Sequence, residues 1–167
     1  MILLNRQMLP LSDEQPMDKA DLQYATWGET GSQLVYVYRD NIYYKPTAET
    51  AAIRIATTTQ ESVVLNGIPD WLYEEEILGE SNAIWFSPNG TRLCYASFND
   101  SEVDEMSYPY YGPYDDPHNL YPGTYRIRYP KPGRVNPTVT LWVVDVGSSS
   151  PQPITHTVIP PPQITQS

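Results

Sequence analysis

Short apolar runs broken by turn residues dominate this chain, and they read as strands. Leu34-Val-Tyr-Val-Tyr38 and Ile42-Tyr-Tyr44 flank Arg39-Asp-Asn41, which reads as a hairpin. Further strands are expected at Ser62–Leu65, Ala83–Phe86, Leu93–Phe98, Tyr125–Tyr129 and Thr138–Val146. The last is β-branched almost throughout, as a pleated surface favours. Ser107–Asn136 is rich in Tyr, Pro and Gly and reads as a long excursion with little regular structure beyond its one strand. Gly147–Ser167 reads as a connection holding at most one strand near Ile154–Val158.

Two segments repeat a pattern. Trp27-Gly-Glu-Thr-Gly31 is followed by Leu34 and Tyr36, and Phe86-Ser-Pro-Asn-Gly90 by Leu93 and Tyr95 at the same offsets. Both read as strand, tight turn, strand, and they stand 59 residues apart. That period fits a propeller blade of ~40–50 residues carrying an insertion. The insertion lies between Asn66-Gly67 and Ala83 and contains an acidic helix. A propeller ring closes with at least about four blades. The 167 residues at this period hold about three, so the fold expected is all-β, an arc of a larger ring.

Composition narrows the function. Twenty acidic against ten basic side chains give a net charge of −10, which opposes binding to nucleic acid or to anionic lipid. Fourteen tyrosines and four tryptophans suit half-buried strands, and seventeen prolines leave little room for long helices. Cys94 is the only cysteine, so no disulfide forms within this segment; it reads as a small buried hydrophobe. Met1-Ile-Leu-Leu4 is too short for a signal peptide or a membrane span.

The chemistry concentrates in Asp70-Trp-Leu-Tyr-Glu-Glu-Glu-Ile-Leu78. Three consecutive carboxylates repel one another, while Trp71, Tyr73, Ile77 and Leu78 draw the segment toward a packed surface. Two readings fit. Asp70 caps an ordinary helix whose acidic first turn favours the dipole, or the carboxylates grip a small cation such as a peptide's N-terminal ammonium. Successive helical side chains diverge by about 100°. Two of the three glutamates can therefore share a ligand, and Glu74 is expected to face elsewhere, toward backbone or a basic neighbour.

Four motifs, in order, carry a family resemblance: Asp-Trp-Leu-Tyr-Glu-Glu-Glu (70–76), Trp-Phe-Ser-Pro-Asn-Gly-Thr (85–91), Phe-Asn-Asp-Ser-Glu-Val (98–103) and Tyr-Pro-Lys-Pro-Gly-Arg-Val-Asn-Pro (129–137). From about Asn5 to Val146 the chain resembles the N-terminal β-propeller of the dipeptidyl peptidase IV family. The resemblance implies an eight-bladed propeller preceding an α/β-hydrolase domain, of which residues 1–167 are a part without the hydrolase. It implies a serine exopeptidase releasing dipeptides with proline or alanine second, with Glu75 and Glu76 holding the substrate's ammonium. It also implies an extracellular, secreted or membrane-anchored, homodimeric protein working with the C-terminal hydrolase domain of the same chain.

The nucleophile elbow G-x-S-x-G does not occur in these residues, so no catalytic residue is assigned and the segment alone is expected to be inactive. None of Arg6, Arg39 or Arg54 is promoted to the family's substrate-binding arginine. His118 and His156 read as surface loop residues. No metal or cofactor site is expected, Asp115-Asp116 beside His118 reading as a solvated loop. Asn89-Gly-Thr91 and Asn99-Asp-Ser101 are glycosylation sequons at turn or strand-end positions. Alternatives are a non-catalytic cell-surface relative serving as a channel accessory or protein-binding subunit, and an adhesion module using the aromatic excursion Tyr108–Tyr125.

Overall fold

The computed structural model describes residues 2–4, 7–9, 22–58, 60–112, 120–147 and 155–157. Strands β1 (Ile2–Leu4) and β2 (Gln7–Leu9) form an antiparallel pair. A four-stranded meander follows: β3 (Tyr24–Trp27), β4 (Leu34–Tyr38), β5 (Asn41–Lys45) and β6 (Ile53–Ala56). The hairpin expected between β4 and β5 is present, but its turn is the two residues Arg39 and Asp40, both in the left-handed region (φ 48° and 58°), because Asn41, already in β5, pairs with Tyr38.

The next sheet is built around the long strand β9 (Arg92–Asn99). One of its edges pairs with β12 (Thr138–Asp145), which in turn pairs with β13 (Thr155–Thr157). The other edge is shared by two short strands, β7 (Val64–Asn66) against Ser97–Asn99 and β8 (Ile84–Phe86) against Leu93–Tyr95. Residues 67–83 therefore leave the sheet in mid-edge and return to it. The exit is pinched shut by Ala83 N–H donating to Gly67 O at 2.8 Å. Gly67 N–H donates to Ala96 O, and Ala96 N–H to Ala83 O. Only glycine fits at 67: its φ is +75°, and a Cβ would stand 2.5 Å from Ile84 Cδ1.

The main core lies between the two large sheets. Val35, Val37, Ile42 and Ala56 of the first meet Ile84, Leu93, Tyr95 and Val144 of the second. A polar tie crosses the same seam. Asp40 is buried, accepts from Gln23 Nε2 (2.7 Å) and from Ser62 N–H (2.7 Å), and its carbonyl accepts from Asn66 Nδ2 (2.9 Å). Ser97 Oγ completes the chain by donating to Asn66 Oδ1.

Three expectations change. Ser107–Asn136 is more regular than expected, because β10 (Glu105–Tyr110) pairs along its whole length with β11 (Gly123–Arg128). Pro109 disguised it, since proline argues against a central strand, yet a two-stranded ribbon leaves an edge where its missing N–H costs nothing. Tyr125 stacks on Tyr108 and meets Tyr110 edge-on. The Ser62–Leu65 strand starts later, at Val64, because Ser62 is left-handed (φ 61°) and its N–H is held by Asp40. His156 lies in β13 opposite Val143 rather than in a loop. Asp115, Asp116 and His118 fall outside the described residues.

Leu93 is fully buried in the seam, so Leu93→Ala is expected to cost about 2–5 kcal/mol in urea unfolding. Exposed Arg92→Ala should stay within about 0.5 kcal/mol. Equal losses at the two sites would contradict this core.

Candidate functional site

The pinched insertion carries the acidic helix. Asp70 begins it as the sequence suggests: its Oδ1 accepts from Tyr73 N–H (3.2 Å) and its carbonyl from Glu74 N–H (2.9 Å). From Tyr73 to Leu78 the turn widens into a π-helix, with Gly79 N–H donating to Glu74 O, five residues back. Gly79, left-handed at φ 64°, ends it. Tyr73 and Leu78 anchor the helix on Phe98 and Ala83, the Tyr73 and Phe98 rings standing 4.9 Å apart. Its apolar side thus rests on β9, and Trp71 and Ile77 stay exposed.

The glutamates divide two and one. Glu75 and Glu76 are exposed, and neither has a hydrogen-bond or ion-pair partner among the described residues. Glu74 is half-buried and faces a cavity of about 410 Å³. The backbone or basic partner expected for its carboxylate is not found among the described residues; the cavity it faces supplies the room instead. Arg39 and Arg54 stand over the rings of Tyr38 and Tyr43 in the first sheet.

The cavity is where the two excursions of the second sheet meet. Asp70 and Glu74 come from the helix, Asp100 from just beyond β9, Glu105 from β10, and Arg126 and Arg128 from β11. Sequence reasoning missed this cluster, because Asp70 read only as a cap and Asp100 only as the middle of a sequon. Arg128 Nη1 donates to Val103 O (2.8 Å) and Asp100 O (3.2 Å), and its Nη2 pairs with Glu105 (3.1 Å). Its donors go to carbonyls and Glu105, so Asp70 Oδ2 and Asp100 Oδ1 are buried without partners. Burial pushes Asp100 up to about 7, the Asp70 charge adds to the rise, and Arg128 opposes it. Asp70 is raised too, by burial, against the pull of backbone N–H groups.

The remaining expected sites are peripheral. Asn89 is exposed, and its Oδ1 accepts from Ser87 Oγ, Thr91 N–H and Thr91 Oγ1. Asn99 is exposed at the end of β9, its Oδ1 accepting from Ser101 N–H. Cys94 is half-buried, and burial pushes its thiol up, which keeps it protonated and unreactive.

Residues 4–167 match the family described as Dipeptidyl peptidase IV (DPP IV) N-terminal region. The chain belongs to that family. It is 40% identical over 163 residues to dipeptidyl peptidase 4 of Sus scrofa, covering 96% of this chain and 20% of that protein. It is 42% identical over 146 residues to prolyl endopeptidase FAP of Bos taurus (87% and 18%), and 42% over 147 residues to inactive dipeptidyl peptidase 10 of Rattus norvegicus (87% and 17%). Among solved structures, dipeptidyl peptidase 4 of Porphyromonas gingivalis superimposes with a TM-score of 0.74 at 31% identity, covering 91% of this chain and 20% of that one. The dipeptidyl peptidase IV family chain described here thus spans about a fifth of the length of these relatives. Its all-β architecture, open antiparallel sheets in sequence, is that of the family's propeller.

Asp100 makes stability depend on pH with a definite sign. Its carboxyl is raised from 3.8 to about 7, so between those values the folded chain holds a proton that the unfolded chain releases. Its contribution therefore grows as pH falls from 7 toward 4 and is lost as pH rises through 7. Asp104, lowered by exposed Arg134, acts only below its ordinary value and outside that window. Asp100→Asn is expected to gain on wild type in urea unfolding at about pH 8, with the gain shrinking at about pH 5; a gain that grows on acidification would contradict the assignment.

Proposed function

We propose that this chain is the propeller portion of a serine exopeptidase, supplying Glu75 and Glu76 to hold the N-terminal ammonium of a peptide substrate. The observation that carries the reading is a pair of adjacent, exposed, unpartnered carboxylates on a helix whose other side is packed on β9. An ammonium offers three N–H donors and the two carboxylates offer acceptors in excess, so charge-assisted bonds can saturate it. A rigid support matters as much as the charge. Fixing the amino end sets the distance to the scissile bond, and so converts a nucleophile able to cut anywhere into one that releases dipeptides. Proline or alanine in the second position, a C-terminal hydrolase domain, a homodimer and an extracellular setting belong to the same reading. So does sugar on Asn89 and Asn99, whose exposure supports it.

A second reading has an observation of its own. The relative named inactive dipeptidyl peptidase 10 is as similar to this chain as prolyl endopeptidase FAP is. In that reading the propeller belongs to a non-catalytic cell-surface protein, and the aromatic ribbon β10–β11 serves as a contact surface.

In the intact protein, Glu75→Gln or Glu76→Gln is expected to lower kcat/KM for peptides with a free amino terminus by about 2–5 kcal/mol of transition-state stabilisation. N-acetylation of the substrate should produce a comparable loss in wild type and little further loss in the variants. Unchanged kcat/KM in both variants would remove the role; absence of hydrolysis by wild type would favour the second reading.

A further inference from the structure

The cavity under the acidic helix holds two carboxylates that the amine-binding reading does not use. Asp70 and Asp100 are 4% and 3% exposed, both line the same cavity, and each has one buried oxygen without a hydrogen bond. Asp70 is covalently the base of the helix and caps its first turn. Asp100 is fixed to the sheet, its N–H donating to Val63 O (2.9 Å) and its carbonyl accepting from Val103 N–H and Arg128. The pair thus sits across the joint between the helix and β9.

Every other charge facing that joint is already committed or adds to the acid. Asp40 accepts from Gln23 and Ser62, and Glu74 is a further carboxylate. On the ribbon, Glu105 takes Arg126 (3.8 Å) and Arg128 (3.1 Å). Arg128 is thereby spent as a counter-ion, and two buried carboxylates facing one shared cation cannot both stay ionised cheaply.

We propose that the Asp70–Asp100 pair is a proton-binding site that sets how firmly the acidic helix is held on the sheet. With one proton bound, one carboxyl becomes a neutral donor, the repulsion across the joint is relieved, and the helix stays docked through Tyr73 and Leu78. With none bound, the two like charges push the helix base away from β9. Asp100 is the protonated partner, in keeping with its elevated titration. The step is a simple proton uptake from solvent and needs no other reactant. Asp70 and Asp100 are positioning residues here, and the proton site does not depend on the reading of Glu75 and Glu76.

Hydrogen exchange by mass spectrometry on the intact protein tests it, with rates corrected for the intrinsic pH dependence of exchange. In wild type, protection of the peptide containing Tyr73–Gly79 is expected to fall roughly threefold or more between about pH 5.5 and about pH 8.5. β4 and β5 should change little. In Asp100→Asn, and separately in Asp70→Asn, protection should stay high and flat across that range. A flat wild-type profile, an equal loss in β4 and β5, or an unaltered pH profile in both variants would each overturn the proposal. The wild-type profile decides even if a variant fails to fold. Glu75→Gln and Glu76→Gln should keep the wild-type exchange profile. If they do so while peptide hydrolysis is also unaffected, the amine-binding reading fails and the proton site stands.

Discussion

Strand β9 has one free edge after β12 is paired, and two short strands share it. That constraint organises the rest of the second sheet. Because β7 and β8 both hydrogen-bond to β9, the chain between them is excluded from the ladder, and the Gly67–Ala83 bond seals the gap it leaves. The acidic helix is consequently carried on a short neck rather than on a long loop. Tyr73 and Leu78 then bury its underside, which leaves one glutamate turned inward and two turned out. Geometry and charge come from the same arrangement.

Of the two large departures from plain blade topology, the acidic insertion leaves the edge of β9 at its middle, beside Ala96, and the β10–β11 ribbon leaves from its Asn99 end. Their meeting creates a cavity lined with unlike charges, and Arg128 is the residue that ties the ribbon to the end of β9. It grips the backbone of the β9 exit through Asp100 and Val103 and the ribbon through Glu105. Asp40 does the corresponding work across the seam between sheets, with no exposed charge involved. Buried polar groups here are mostly spent on backbone, where they fix how elements are joined. Among the exceptions are Trp142 Nε1 and the orphaned oxygens of Asp70 and Asp100, and the latter two coincide with the joint under the helix.

Much of this was legible in the sequence. The strands at 34–38, 42–44 and 93–98, the hairpin across Arg39-Asp-Asn41, the repeat and the limits of the insertion all follow from local pattern, and local pattern is what those elements obey. The Asp70 cap also follows from residue spacing, as does the setting apart of Glu74, although it is Glu74 that faces the cavity. The β10–β11 ribbon was hidden by Pro109, and β6 by its brevity, with Arg54 interrupting a four-residue run. The widening of the helix to π geometry had no sequence signal. Neither did the Asp70–Asp100 pairing, because those residues stand thirty positions apart and only the fold brings them to one cavity.

The neck at Gly67 and Ala83 has a consequence for how such chains diversify. Strand register is set on either side of it, by bonds that ignore what lies between. Any insert whose ends can sit about 5 Å apart, the spacing of neighbouring strands, could be spliced there without disturbing the ladder. Blade and insert are thus separable inheritances: one preserves the ring, while the other is at liberty to lengthen, shrink or change its chemistry.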